Sequence, residues 1–196
     1  MKKLFSIVAT VAMLASTLPT SVLGATSYSD ELEGAYDYAY GMGITTQSSI
    51  DSADMYGTLT RIALAKMISN YVLELGLQTP DTSKDCSFTD VSDALDAQYA
   101  DGVTNACQLG LMGVGITAFR PYDSVTRAEF GTVLSRAIWG DTNNGGEPYY
   151  VDHLNALKDE GIMTNISNPS MKEVRGYVML MMQRADENGV ATETPA

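Results

Sequence analysis

The chain has one histidine, two cysteines and half as many cationic as anionic side chains, and each shortage removes a class of function. His153 has no partner motif: there is no GxSxG, no Cys–His pair and no HExxH, so no nucleophile–base constellation supports an enzyme. Cys86 and Cys107, without a matching histidine set, offer too few ligands for zinc. Twelve Lys and Arg against 24 Asp and Glu give a net charge of −12. That charge repels nucleic acid and anionic lipid at long range, so any polyanion must be held locally by a few placed arginines. A calcium loop is short of parts as well. Asp141, Asn143, Gly146 and Asp152 are in place, but Gly145 occupies a ligand position and the closing Glu is missing. No cofactor and no metal is expected. Past residue 24, no apolar run is long enough to span a bilayer.

The first 24 residues have the layout of a signal peptide. Lys2 and Lys3 precede an apolar stretch from Leu4 to Leu18, and Val22-Leu23-Gly24 supplies compact residues at a cleavage point. The mature chain is expected to begin near Ala25, to be exported, and to form one domain with a real core. No Cys follows the cleavage region closely, so nothing points to a lipoprotein. An even cysteine pair in an exported chain favours a Cys86–Cys107 disulfide over two separate buried thiols.

Three stretches repeat one plan: an apolar-periodic helix that stops at Gly plus an apolar residue, a loop, and a second helix opening near an Arg. AYDYAYGMGI (35–44) is followed by LTRIALAKMI (59–68), VTNACQLGL (103–111) by VTRAEFGTVL (125–134), and HLNALKDEGI (153–162) by EVRGYVMLMM (173–182). The spacings between successive Gly markers and successive Arg markers drift together, as they do when whole units repeat and loops vary. Gly43, Gly110 and Gly161 sit where a helix must stop, and the second helices carry broad apolar stripes at three-four spacing. The units span 28–80, 86–140 and 146–187, and 188–196 reads as a flexible tail.

The second unit resembles an S-layer homology repeat. FTDV (88–91), Tyr99-Ala100, Gly110-Leu111, Phe119-Arg120-Pro121 and VTRAEF (125–130) fall in that family's order and spacing. The resemblance implies an all-α fold of three two-helix repeats in a pseudo-threefold arrangement about a central three-helix bundle. It also implies a cell-surface module that holds an anionic, pyruvylated wall polysaccharide in grooves between repeats, with the Thr-Arg dipeptide in the groove. Other S-layer or envelope proteins are further possible partners, and the competing reading is a lattice subunit that assembles through protein–protein contacts.

Within that pattern, Thr126 and Glu129 form a capping box whatever the ligand. Arg127 is not explained by capping, because a cation at a helix N-terminus opposes the macrodipole. A guanidinium beside free N–H groups would suit a carboxylate or phosphate. An internal salt bridge to Asp90 or Asp123 is the competing role. If Arg127 holds the ligand, its removal should weaken binding and leave stability nearly unchanged. Thr60 and Arg61 keep the dipeptide, but Ala63 replaces the capping Glu. In the third unit Val174 replaces Thr, and Ser170 with Glu173 suggests a helix start further upstream, placing Arg175 about a turn inside. Asp90 either orders its loop or contacts sugar hydroxyls, while Tyr99 and Tyr150 either stack on a sugar or pack in the core.

Overall fold

The computed structural model describes residues 27–191, which form an all-helical fold. The expected signal peptide and the last five residues of the expected tail lie outside these residues. The helices are α1 (Asp30–Gly41), α2 (Arg61–Glu74), α3 (Asp93–Gln98), α4 (Gly102–Gln108), α5 (Arg127–Trp139), α6 (Val151–Asp159) and α7 (Arg175–Glu187). Among the described residues, no helix is long and apolar enough to cross a membrane.

The first helix of each unit stops in the same way. In α1, α4 and α6 the amide after the Gly reaches back five residues: Ile44 to the Ala39 carbonyl, Leu111 to Ala106 and Ile162 to Leu157, at 2.8–2.9 Å. The glycines carry φ of 66°, 77° and 70°, which Gly adopts without strain. Each following apolar side chain is buried, so the cap also pins the loop to the core.

Helix pairing crosses the sequence units. The extensive contacts are α1 with α7, α4 with α2, and α6 with α5, so each first helix covers the second helix of the unit before it, and α1 covers the last. At the α2–α4 crossing a Cβ on Gly102 would lie 2.6 Å from Lys66 Cα, so only glycine permits the approach. The α1–α7 contact is tied by Arg184 to Glu31 at 2.7 Å and by the Tyr38 hydroxyl donating to Asp186 at 3.1 Å. Met179, Met181 and Met182 of α7 are core residues. The chain beyond α7 is not all tail: Ala191 is buried and its amide bonds the Ala185 carbonyl.

Three short extended segments meet at the centre and close a ring. The Glu173 amide donates to the Val125 carbonyl, Val125 to Leu59, and Leu59 to Glu173, at 2.9–3.0 Å. All three side chains are fully buried. Among α2, α5 and α7 only α2 and α5 touch appreciably, and far less than the three pairs above. The units are therefore joined chiefly by those cross-unit helix pairs, with this ring and the loops adding to them and no tight bundle of the three second helices. In the third unit the helix begins differently from the sequence expectation. Val174 is the N-cap and Arg175 the first helical residue, because Glu173 is turned into the core ring and is not available to cap.

Cys86 and Cys107 form a disulfide with Cα atoms 5.9 Å apart, fastening the segment before FTDV to α4. Its removal in a Cys86→Ala/Cys107→Ala variant is expected to cost about 3 kcal/mol on the chain-entropy account of a closed loop of this size. A urea denaturation series would show it as a lower midpoint; an unchanged midpoint would contradict it.

His153 is also inside the fold, with Nδ1 2.9 Å from the Ser135 hydroxyl. Burial, with the positive charge of Arg136 adding to it, holds its pKa below the ordinary histidine value. The folded state therefore binds this proton less readily than the unfolded chain. The contribution is complete above the unfolded value, near ~6.5, and is lost as pH falls from there through the depressed folded value. The urea midpoint should drop between pH 7.5 and 5.5 by more in the parent than in His153→Gln. Equal drops would show that His153 is not involved.

Candidate functional site

The three arginines play one architectural part. Each begins a second helix and reaches into the loop of a neighbouring unit. Arg61 Nε donates to the Phe119 carbonyl, a guanidinium nitrogen of Arg127 donates to the Asn165 carbonyl, and one of Arg175 donates to the Ala53 carbonyl, all at 2.8 Å. The helix amides beside them are committed to the same loops. The first two amides of α2 bond Asp123 and Pro121, those of α5 bond Met171 and Pro169, and those of α7 bond Gly57 and Met55. At α5 the third amide is taken by the Thr126 hydroxyl within the capping box. The guanidinium beside free N–H groups inferred from sequence is thus replaced by one beside amides already bonded to carbonyls.

Each arginine also has an acidic partner. Arg127 Nε lies 2.5 Å from Glu173 Oε1, and both side chains are buried. The internal partner is therefore Glu173 rather than Asp90 or Asp123. Arg61 lies 3.6 Å from Glu129 and sits over the Phe119 ring at 5.1 Å. Burial pulls its pKa below the ordinary arginine value, with Glu129 opposing. Arg175 meets Asp54 at 3.6 Å. Asp90 accepts the amides of Phe119 and Arg120 at 2.7 Å each, which orders the loop that Arg61 pins. Burial raises its pKa, but these backbone donors outweigh it and leave the carboxyl below its ordinary value.

The remaining candidates face grooves between units. Thr60, Tyr99 and Arg175 are brought together in one groove of about 480 Å³, with Lys66 of α2 and the exposed Tyr122. Thr45, Thr46, Gln47 and Gln98 add hydroxyl and amide groups to its wall. Lys66 Nζ bonds only a neutral group there, the Thr46 hydroxyl at 3.0 Å. Thr60 makes no side-chain cap to α2, so its hydroxyl is not spent on the helix.

Thr126 and Tyr150 share a second groove of about 510 Å³ with Arg120, Lys172 and Tyr149, but Asp123 and Glu129 are on the same wall. Tyr149 and Tyr150 meet edge to face, centroids 5.3 Å apart. Burial, reinforced by Glu129, holds the Tyr149 phenol above its ordinary pKa, keeping it a neutral donor. A third groove, about 360 Å³, has Arg127 and Arg184 over a largely apolar wall that includes Met163, Met171 and Met181.

Lys66, Tyr122, Tyr149 and Lys172 were not identified from sequence, and Glu173 was read there only as a capping residue. Lys66 sits among the apolar positions of α2 without a motif, and Tyr122 follows the family-like FRP without belonging to it. No protein-family model and no curated protein sequence matches this chain.

Proposed function

We propose that this is a non-enzymatic, exported cell-envelope module that binds an anionic wall polysaccharide, chiefly in the groove of Thr60, Lys66, Tyr99, Tyr122 and Arg175. The observation that supports this reading is the groove's charge: among the described residues its wall holds Lys66, whose ammonium has no carboxylate partner, and Arg175, whose partner Asp54 stands off the wall, with no Asp or Glu in the lining, in a chain with 24 acidic residues. Tyrosine faces suit the apolar side of a pyranose ring, while the hydroxyl and amide groups suit its ring hydroxyls. Lys66 and Arg175 supply charge for a carboxylate or ketal substituent. The disulfide fits an oxidising compartment. The groove of Thr126 and Tyr150 is a weaker second subsite, because its carboxylates offset its cations.

Calorimetric titration of the mature chain with isolated acidic wall polysaccharide tests the reading. Lys66→Met should weaken binding about tenfold or more, since charge-assisted hydrogen bonds contribute about 1.5–3 kcal/mol. Tyr122→Ala should weaken it with no loss of stability, because the residue is 66 % exposed. Carboxyl-reduced polymer should not bind. Full affinity in both variants would remove the groove assignment. Ordered self-assembly without polymer, together with no binding to any wall fraction, would replace this function with that of a lattice subunit.

A further inference from the structure

We infer that a groove between α2, α5 and the 111–116 loop, distinct from that of Lys66 and Arg175 and sharing only Arg120, Glu129 and Tyr149 with the weaker second subsite, docks an acidic peptide segment carrying aliphatic side chains. The cleft, about 250 Å³, has Leu64, Leu111, Met112, Val114, Ile116 and Val133 on its wall. Arg61, Arg120 and Arg136 line this same cleft with one carboxylate, Glu129. Arg61 is taken up by Glu129 and the Phe119 carbonyl, Arg120 has an exposed contact to Asp123 at 3.8 Å, and Arg136 bonds only the neutral Asn144 side chain among the described residues. Val114 is 61 % and Ile116 41 % exposed, an arrangement that costs solvation without improving the core.

Their loop is seated on the fold at Gly113. Gly113 has φ of 80°, and a Cβ there would lie 2.6 Å from the Phe88 ring, which stacks edge to face on the buried Phe119. A loop seated against Phe88 at Gly113 has less freedom to lose on binding than a detached one. Charge and shape together select the partner. An apolar wall is a poor host for a sugar, whose hydroxyls would go unpaired. The net charge of −12 opposes an extended anionic bilayer and a second copy at long range, and it opposes a short acidic segment less because few charges are brought up. Aliphatic side chains fill the cleft, and carboxylates meet the guanidinium groups of Arg136 and of the exposed Arg120, which can bind them through two parallel hydrogen bonds.

The test is fluorescence anisotropy of the mature protein with a short labelled peptide of alternating leucine and aspartate. Saturable, salt-sensitive binding is expected, lost when serine replaces leucine or lysine replaces aspartate in the peptide. Val114→Ser and Ile116→Ser should each weaken it about tenfold, as anchor positions do, and Arg136→Gln should reduce its salt dependence. Titration of the wall polysaccharide should be unchanged in the two serine variants, which separates this cleft from the saccharide groove. The inference is overturned by no binding to the folded parent, by equal binding of the lysine peptide, or by full affinity in both serine variants. Dimerisation abolished by Ile116→Asp would instead assign the face to a second copy, and competition by anionic vesicles would assign it to lipid.

Discussion

Replacing Arg127 with Met is expected to destabilise the fold by about 3–5 kcal/mol, the range for removing one partner of a buried ion pair. Glu173 would be left fully buried with neither carboxylate oxygen paired, since Oε2 already has no hydrogen-bond partner. The Asn165 carbonyl would also lose its donor. This reverses the profile expected when Arg127 is read as a ligand residue, in which stability barely changes. The second half of the experiment is Arg127→Met combined with Glu173→Leu. Leu59 and Val125 occupy the corresponding ring positions, and both are buried and apolar. The double variant should therefore recover most or all of the loss, because a buried ion pair gives little net stability over well-packed apolar groups. A double-mutant cycle by urea denaturation reads the coupling. A loss below about 1 kcal/mol in Arg127→Met would place the residue among exposed ion pairs instead.

A fragment carrying only the second and third sequence units, residues 81–191, should fail to fold cooperatively. On a plan of self-contained helix pairs it would keep two complete units. Of the three extensive helix pairings it keeps only α5 with α6, besides the small α3–α4 contact: α4 loses its cover on α2, and α7 loses α1. The central ring loses Leu59, and with it two of its three hydrogen bonds. Arg175 loses the Ala53 carbonyl, and the first two amides of α7 lose Gly57 and Met55. The expected observation is a broad thermal transition without near-ultraviolet signal, and recovery of a sharp transition when residues 28–80 are added in trans. A sharp melt of the fragment alone would show that its units are independent.

Local features were legible before any coordinates. The Gly-apolar stops, the Thr126–Glu129 capping box and the stripes of α2 and α5 depend on residues three to five apart, and that spacing is printed in the chain. With only two cysteines, the pairing of the disulfide had one solution. The third unit shows where local reading ends. Ser170 and Glu173 have the spacing of a capping box, yet Glu173 joins the buried ring and pairs with a residue 46 positions earlier. Nothing within a helical turn distinguishes a carboxylate that caps from one that is buried by distant packing. The α3 helix was missed for a related reason: it is one and a half turns long, too short for periodicity, and its Asp96 is fixed by the amides of Val103 and Thr104 in the next helix.

The sequence by itself determined that the chain is helical, where the Gly-capped helix of each unit stops, and that Arg61 and Arg127 stand at the starts of second helices. It also determined the scarcity of positive charge that makes each cation conspicuous. Only the tertiary structure decided which helix covers which, because the loops between units permit an apolar face to be buried by its own unit or by a neighbour. That choice turned the arginines inward onto loop carbonyls. It left Lys66, Tyr99, Tyr122 and Thr60, which no local spacing relates, on the wall of one groove without a carboxylate.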